Sequence, residues 1–256
     1  MGWSPEQYLR FAAPRLRPAA DLLAAVPLDA PRVVYDLGCG AGNVTRLLAE
    51  RWPGARITGV DDSAPMLAKA AAELPGATWV EQSLAQWRAP QAADLIYSNA
   101  ALHWLPDHGA LFPALVGQLA ARGVMAVQMP RNFGAPSHTA IADTVRAGPW
   151  RERLEPLLAP APVAEPSFYY DLLAARVDRL DIWETEYLQV LRGADPVKEW
   201  TKGTWLKQFL DAIDDSERPA FENEYAARLR VAYPRRGGGE TLFPFRRLFI
   251  VAVARP

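Results

Sequence analysis

Apolar runs alternate with amphipathic segments over the first 130 residues of the chain. The amphipathic segments have the apolar spacing of helices, and the segment HGALFPALVGQLAARG is predicted to stay helical up to Gly123. Strands are predicted for five apolar runs: VVYDL, ARITGVD, ATWVEQSL, ADLIYSNAAL and VMAVQMP. Because strands and helices alternate, we expect a parallel sheet wound by right-handed crossovers.

The segments on either side of this region follow different patterns. At the N-terminus a helix is predicted to begin at Ser4, with Tyr8 and Arg15 on one face, and a second helical stretch runs from Arg17 to Val26. After Met129 the alternation ends, and a region rich in proline and aromatic residues predicts an insertion over the sheet. A sixth strand (ARVDRLDIWETEYLQV), helices around 196–213 and 216–233, and a seventh strand (TLFPFRRLFIVAVARP) are predicted to follow.

A glycine-rich turn joins the first strand to the next helix. In the stretch VVYDLGCGAGNVTRLLAE, Gly38, Gly40 and Gly42 allow a tight turn that a ligand can approach closely. Asp61 lies 19 residues beyond Gly42, at the end of the second strand. A carboxylate at about this distance suits the two vicinal hydroxyls of a ribose, as in nucleotide-binding α/β folds. The stretch therefore predicts a nucleotide-type ligand.

The spacing of the glycines distinguishes between two ligand classes. A dinucleotide site has the pattern G-x-G-x-x-G, whereas here the third glycine position holds Asn43. Asp36, two residues before the first glycine, would repel a pyrophosphate and would favour a cationic ligand. The pattern D-x-G-x-G-x-G resembles motif I of the class I S-adenosylmethionine (SAM) methyltransferases, whose cofactor is a sulfonium. This favours SAM over NAD, and an NAD-type oxidoreductase is the less favoured alternative.

Composition restricts the possible partners and compartment. The chain has 256 residues, half of them hydrophobic, and a formal net charge of −1, which gives no global attraction to nucleic acid or to anionic membranes. The single cysteine, Cys39, excludes an intrachain disulfide framework and is predicted to pack as a small residue in the glycine turn. The first residues lack the apolar segment of a signal peptide, and no apolar run reaches about 18 residues. We therefore expect a cytoplasmic protein. We also expect no metal site, because His108 and His138 lack metal-ligand spacing.

Several segments together resemble one narrower family. They are WSPEQYLRFAAPRLRPAADLL, DLGCGAGNVTRLL, GVDDSAPML, DLIYSNAALHWL, QMPRNFGAPSH and RLFIVA, and the resemblance, which covers nearly the whole chain, is to the trans-aconitate methyltransferases. It implies an α/β fold with a doubly wound, seven-stranded, mostly parallel, Rossmann-like sheet, whose last strand lies antiparallel beside the sixth. It also implies monomethylation of a small tricarboxylate by SAM, with S-adenosylhomocysteine as product.

The domain boundaries expected for this architecture follow from the same segments. Residues 1–130 are predicted to form the SAM-binding core with its N-terminal helix. A largely helical cap over the active site is predicted from residues 131–175 and 196–240, and the last two core strands from residues 176–195 and 241–256.

The resemblance assigns cofactor-binding roles to seven residues: Asp36, Gly38, Gly40, Asp61, Ser83, Leu84 and Asn99. The glycines would line the methionine and ribose portions, Asp36 would help to hold the loop, and Asp61 would take the ribose hydroxyls. At the adenine, where the family usually has an acidic residue, the Ser83 hydroxyl and the Leu84 N–H are the available groups. Asn99 would lie near the amino group of the methionine portion, and Asp62 is expected to be a solvated residue at a helix start.

A carboxylate acceptor makes few chemical demands on the protein. It is ionised at neutral pH, so we predict no catalytic acid or base, only alignment of oxygen, methyl and sulfur in a site closed to water. Arginines suit such an acceptor because they bind carboxylates bidentately. Of Arg246 and Arg247, strand alternation lets at most one point inward, and Arg247 is favoured.

The residues predicted to bind the substrate are Tyr8, Arg15, His103, Trp104, Arg131, Tyr169 and Arg247. His103 and Trp104 follow the fourth strand, where ligands bind in such sheets. Two further alternatives stay open: methylation of another small-molecule acceptor, and SAM binding without catalysis.

Overall fold

Seven strands form one sheet in the computed structural model, which describes residues 12–256, with side chains from residue 16 onward. They are β1 (Val33–Leu37), β2 (Arg56–Asp61), β3 (Thr78–Glu81), β4 (Ala93–Asn99), β5 (Leu119–Pro130), β6 (Arg179–Leu191) and β7 (Thr241–Val253). Their order is β3-β2-β1-β4-β5-β7-β6. Strands β1 to β5 pair in parallel, and β7 runs antiparallel to β5. The predicted doubly wound, mostly parallel sheet is confirmed.

Helices follow most strands, as the alternation predicted. They are α1 (Ala12–Ala24), α2 (Asn43–Arg51), α3 (Ala64–Glu73), α4 (His108–Val116), α5 (Pro136–Ala147), α6 (Arg151–Leu154), α7 (Pro166–Leu173), α8 (Pro196–Lys202), α9 (Lys207–Asp211) and α10 (Arg218–Ala232). Among the helices of residues 12–256, none is long and apolar enough to cross a membrane. The helix predicted to begin at Ser4 lies outside the described residues.

The predicted helix ending at Gly123 is wrong in its second half. Helix α4 stops at Val116, and β5 already begins at Leu119. Ala93 of β4 pairs with Leu119 of β5, and Leu95 pairs with Val124. Because β5 has more residues than β4 between these two pairs, β5 bulges there. A Cβ added at Gly123 would lie 2.5 Å from the Ala93 carbonyl oxygen, so this glycine serves a close backbone approach within the sheet rather than a helix end.

The chain divides into two compact units. The sheet unit comprises Ala13–Pro130, Pro162–Thr185 and Arg247–Pro256, and the helical unit contains Arg131–Ala161 and Glu186–Arg246, so β6 and β7 contribute residues to both. The helical unit has its own apolar core, in which Trp150, Phe209, Phe221 and Tyr225 are buried. Helix α7 belongs to the sheet unit, although the sequence placed it in the cap. The cap over the active site stays a prediction.

Candidate functional site

The loop between β1 and α2 turns through three glycines with left-handed backbone angles. Gly38, Gly40 and Gly42 have φ values of 77°, 53° and 79°, which favour glycine over residues with a Cβ. A Cβ added at Gly38 would lie 2.1 Å from the Cβ of Ala101, so the loops that follow β1 and β4 are in close contact. The glycine pattern therefore reflects backbone geometry at the carboxyl ends of neighbouring strands, where ligands bind in such sheets.

Asp61 ends β2 and holds this loop through backbone bonds. Its Oδ2 accepts from the Gly40 N–H at 2.9 Å, and its Oδ1 accepts from the Ser63 N–H at 3.0 Å. Partial burial raises the pKa of the carboxyl group, and these two bonds oppose the rise. A carboxylate has about four acceptor positions, so both oxygens retain one for a ribose hydroxyl. The neighbouring Asp62 is exposed, which confirms it as a solvated residue.

Asp36 holds the local structure around the glycine turn from inside the sheet. Its side chain is buried in β1, and its Oδ2 accepts a 2.6 Å bond from the Thr45 hydroxyl in α2. Burial raises its pKa to about 7, the Thr45 bond opposes the rise, and the charge of Asp61 adds to it. Asp36 therefore anchors α2 to the sheet beneath the glycine turn and does not point into the mouth of the loop.

Asp36→Asn is expected to alter the pH dependence of stability between about pH 5 and 7. The pKa of this group in the folded protein is raised from 3.8 to about 7, so the folded state keeps a proton that the unfolded chain has lost. Through this group the free energy of unfolding falls as pH rises, by up to about 1.4 kcal/mol per pH unit. Asparagine does not titrate, and the variant should lack this contribution.

Urea denaturation of both proteins at several pH values measures the difference between their slopes. The matched control is Asp62→Asn, which removes an exposed carboxylate and should keep the wild-type slope. Identical slopes for Asp36→Asn and the wild type would contradict the assignment of this pKa to Asp36.

Cys39 packs inside the glycine turn, as expected. It is 7% exposed, and a Cβ added at Gly59 of β2 would lie 2.9 Å from its Sγ. Burial, together with the charges of Asp36 and Asp61, raises the pKa of the thiol far above its usual range. The thiolate that a nucleophile requires is therefore disfavoured.

Ser83 and Leu84 lie just beyond β3. Ser83 is exposed, so its hydroxyl is accessible to a ligand, and Leu84 is half-buried. The Leu84 Cδ1 atom lies 3.6 Å from the position of a Cβ added at Gly38. This brings the segment after β3 next to the glycine turn, as an adenine contact requires, but the contact itself stays a prediction.

Asn99, the last residue of β4, carries a buried acceptor. Within the described part of the chain its Oδ1 has no hydrogen-bond partner, although the atom is shielded from solvent. Such an atom costs about 1–3 kcal/mol when it is left unsatisfied, so its position calls for a donor. The ammonium group of the methionine portion of SAM is a suitable donor. Together, the Asn99 acceptor and the Asp61 carboxylate make this edge of the sheet chemically fit for SAM.

Arg247 enters β7 on the buried side of the strand. It is 5% exposed, whereas Arg246 is exposed, so the predicted alternation is confirmed. Its Nη1 donates a 3.1 Å bond to Oε1 of Gln128, a fully buried residue of β5. Gln128 was missed from the sequence because VMAVQMP otherwise has the pattern of a buried strand. Its amide, the one polar side chain in that run, was the available signal.

His103 lies in the short helical turn that follows β4, where it is buried and neutral. It is 6% exposed, and burial lowers its pKa to about 3, with smaller contributions from the charges of Arg247 and His108. Its Nδ1 is buried and has no partner among the described residues. The adjacent Trp104 is 55% exposed, with its ring centroid 4.6 Å from that of His103. His103 thus offers a neutral hydrogen-bonding group, while substrate contact by either residue stays a prediction.

Tyr169 packs inside the sheet unit, and its contact with substrate stays a prediction. It is fully buried in α7, and its hydroxyl lies 2.6 Å from Nδ1 of His108. The same hydroxyl accepts a 3.3 Å bond from the Ala164 N–H. The other ring nitrogen of His108 lies 3.1 Å from the Leu102 carbonyl oxygen, which confirms that this histidine is structural.

For the other predicted substrate residues, a role in substrate binding stays a prediction. Arg131 belongs to the helical unit, where its N–H donates to the Arg246 carbonyl at 3.0 Å. Tyr8 and the side chain of Arg15 lie outside the described residues. His138 lies in the helical unit with Nδ1 3.0 Å from the Ser137 hydroxyl, and no group of metal-binding side chains occurs in the described part of the chain.

Solved structures share this fold. The YcgJ protein from Bacillus subtilis aligns with a TM-score of 0.63 and 14% identity, covering 94% of this chain and 99% of that one. A putative methyltransferase from Bacillus halodurans C-125 aligns with a TM-score of 0.58 and 14% identity, covering 94% and 100%. At this identity the likeness concerns the fold alone.

Much closer relatives are found by sequence. A family model described as a methyltransferase domain matches residues 34–123. The trans-aconitate 2-methyltransferase of Azoarcus sp. (strain BH72) is 48% identical over 98% of both chains. That of Rhodopseudomonas palustris (strain BisB18) is 46% identical, again over 98% of both. The chain therefore belongs to the trans-aconitate 2-methyltransferase family of SAM-dependent methyltransferases.

Proposed function

We propose that the protein esterifies one carboxylate of trans-aconitate, or of a closely similar small polycarboxylate, with the methyl group of SAM. The observation that carries the proposal is Arg247, a buried cation held at the carboxyl end of the sheet in a chain 48% identical to a named trans-aconitate 2-methyltransferase. A buried guanidinium suits a carboxylate ligand, because charge-assisted bonds are strongest where water is excluded. The proposed function does not involve a nucleic-acid partner.

The residues around the glycine turn have the chemistry to orient the cofactor. When bound, SAM supplies an electrophilic methyl group on a positively charged sulfur. The Asp61 carboxylate is the acceptor for the ribose hydroxyls, and the Asn99 side chain is the acceptor for the ammonium group. Ser83 and Leu84 are available to the adenine, while Asp36 acts indirectly by anchoring α2 through Thr45.

The substrate side requires binding and alignment rather than proton transfer. A carboxylate is already ionised at neutral pH, so no group has to remove a proton before its oxygen forms the ester bond. Arg247 would hold a carboxylate other than the reacting one, and neutral His103 would supply a hydrogen bond without adding charge. We further propose that the reaction takes place in the cytoplasm, where a single buried thiol such as Cys39 stays reduced.

A screen of small acids tests this function directly. Purified protein is incubated with SAM and one acid at a time, and the release of S-adenosylhomocysteine is measured with and without the acid. We expect trans-aconitate and similar polycarboxylates to stimulate release most strongly, and mass spectrometry should identify a monomethyl ester. Greater stimulation by a neutral or monocarboxylic acceptor would identify another small-molecule methyltransferase, and no release with any acid would favour SAM binding without catalysis.

The pH dependence of turnover should show no step due to a general base. With a carboxylate nucleophile and His103 neutral above about pH 3, kcat for trans-aconitate is expected to stay nearly flat from about pH 6.5 to 8.5. His103→Asn should lower activity without changing the shape of the profile. Asp36→Asn is the control, because the pKa of Asp36 is about 7 and any change in kcat caused by its titration should be absent from this variant. An acidic limb that disappears in His103→Asn would make His103 a base and would favour a hydroxyl or amine acceptor.

A further inference from the structure

Gln128 occupies a buried position that a strand of this kind normally gives to an apolar side chain. It is fully buried in β5, opposite Asn99 of β4 on one side and Phe249 of β7 on the other. Register partners in a sheet project to the same face, so Asn99, Gln128 and Phe249 form a row across three strands. Arg247 lies two residues before Phe249 and shares that face.

The bond to Arg247 determines which way the Gln128 amide points. A guanidinium has donors only, so the atom that accepts from Nη1 at 3.1 Å has to be the carbonyl oxygen Oε1. The amide nitrogen Nε2 must then point away from that contact. It is shielded from solvent and has no hydrogen-bond partner within the described residues. The protein therefore keeps a buried, unsatisfied N–H donor next to a buried cation.

Two other polar atoms nearby are in the same condition. Asn99 Oδ1, on the neighbouring strand, and His103 Nδ1, in the segment that follows that strand, are both buried and have no hydrogen-bond partner among the described residues. A purely structural arrangement would pair such groups with one another. Unsatisfied polar atoms at the carboxyl ends of β4 and β5 indicate polar ligands instead: the acceptor of Asn99 suits the ammonium group of SAM, and the donor of Gln128 suits a substrate carboxylate.

We propose that Gln128 is a specificity-determining residue, which donates from Nε2 to the same substrate carboxylate that Arg247 binds. The inference rests on the proposed function. The two side chains would present donors of fixed relative position, because the bond from Nη1 to Oε1 locks the amide against the guanidinium. Such a pair selects one non-reacting carboxylate of a polycarboxylate and thereby decides which carboxylate reaches the methyl group.

Two variants of Gln128 separate this role from mere support of Arg247. Gln128→Met keeps the volume and removes both amide groups. Gln128→Glu keeps an acceptor for Arg247 but replaces the donor with a negatively charged acceptor. We expect Gln128→Met to lower kcat/KM for trans-aconitate tenfold or more, since a bond to a charged group is lost. Gln128→Glu should lower it further, because its carboxylate repels the substrate.

A role in positioning Arg247 alone predicts the opposite order, with Gln128→Glu more active than Gln128→Met, and that order would overturn the proposal. The ratio of monomethyl ester isomers gives a second readout: the minor isomer should increase in Gln128→Met. Unchanged kcat/KM and an unchanged isomer ratio would also overturn it. The Kd for SAM and the urea midpoint of each variant show whether the cofactor site and the fold are intact.

Binding measurements distinguish failure of this inference from failure of the proposed function. Calorimetric titration of trans-aconitate into the protein saturated with S-adenosylhomocysteine requires no turnover. If the wild type binds trans-aconitate without methylating it, the proposed function is wrong, and weaker binding by Gln128→Met would still support the role of Gln128. If the wild type methylates it and both variants match the wild type, only the inference is wrong. A wild type that neither binds nor methylates it contradicts both.

Discussion

Arg247→Ala is expected to lower kcat/KM for trans-aconitate about 100-fold. The guanidinium is 5% exposed, so bonds that it forms to a substrate carboxylate would be made away from water. Charge-assisted bonds contribute roughly 1.5–3 kcal/mol each, and every 1.4 kcal/mol corresponds to a factor of ten. The substitution would also leave Oε1 of Gln128 without its donor, which adds to the loss.

Steady-state kinetics with Arg246→Ala as the matched control measure this effect. Arg246 is the adjacent arginine on the exposed side of the same strand, and its removal should change kcat/KM less than twofold. The Kd for SAM should be nearly unchanged in both variants, because neither arginine belongs to the glycine loop. A monocarboxylate analogue should be a poor substrate of the wild type and should be affected less by Arg247→Ala. Normal turnover of trans-aconitate by Arg247→Ala would refute a polycarboxylate site at this position.

Asp61→Ala is expected to weaken SAM binding by about 2–3 kcal/mol, which corresponds to roughly 30- to 150-fold in Kd. The carboxylate is the proposed acceptor for both ribose hydroxyls. It also accepts the N–H groups of Gly40 and Ser63, so its removal would loosen the loop that has to meet the ligand. Both effects weaken the cofactor complex.

Isothermal titration calorimetry with SAM and with NAD tests this prediction. Asp62→Ala is the matched control, since it removes the neighbouring exposed carboxylate and should leave the Kd for SAM within about twofold of the wild type. The wild type should show no measurable binding of NAD. An unchanged SAM affinity in Asp61→Ala, or tight binding of NAD, would contradict the assignment.

The sequence predicted most of the sheet, because its signals are local. The strand-turn-helix pattern around Gly38 and Gly40 depends on backbone angles that glycine adopts at little cost, and both residues have positive φ values in the structure. The alternation of β7 likewise predicted that Arg246 and Arg247 would lie on opposite faces, and Arg247, the one favoured to point inward, is buried while Arg246 is exposed. The end of α4 was predicted wrongly, since Gly123 serves a close approach to Ala93, a contact between residues far apart in the chain.

Direct ligand contact was harder to predict than burial. Asp36 and Tyr169 were both predicted to belong to ligand sites, and in the structure their side chains are bonded to Thr45 and to His108. A carboxylate near the end of a strand and a tyrosine in an aromatic segment have the same sequence signature whether they face a ligand or a neighbouring helix. Only the packing of α2 against β1, and of α7 against α4, distinguishes these outcomes.

By itself the sequence determined the class of fold, the glycine turn with Asp61 and the family. The tertiary structure decided that Gln128 meets Arg247, that His103 is neutral, and which polar atoms around them are left without a partner. The physical reason is the range of the forces involved. Backbone preferences and apolar periodicity act between near neighbours in the chain, whereas desolvation and buried hydrogen bonds depend on residues such as Gln128 and Arg247, 119 positions apart, that meet only when the sheet has formed.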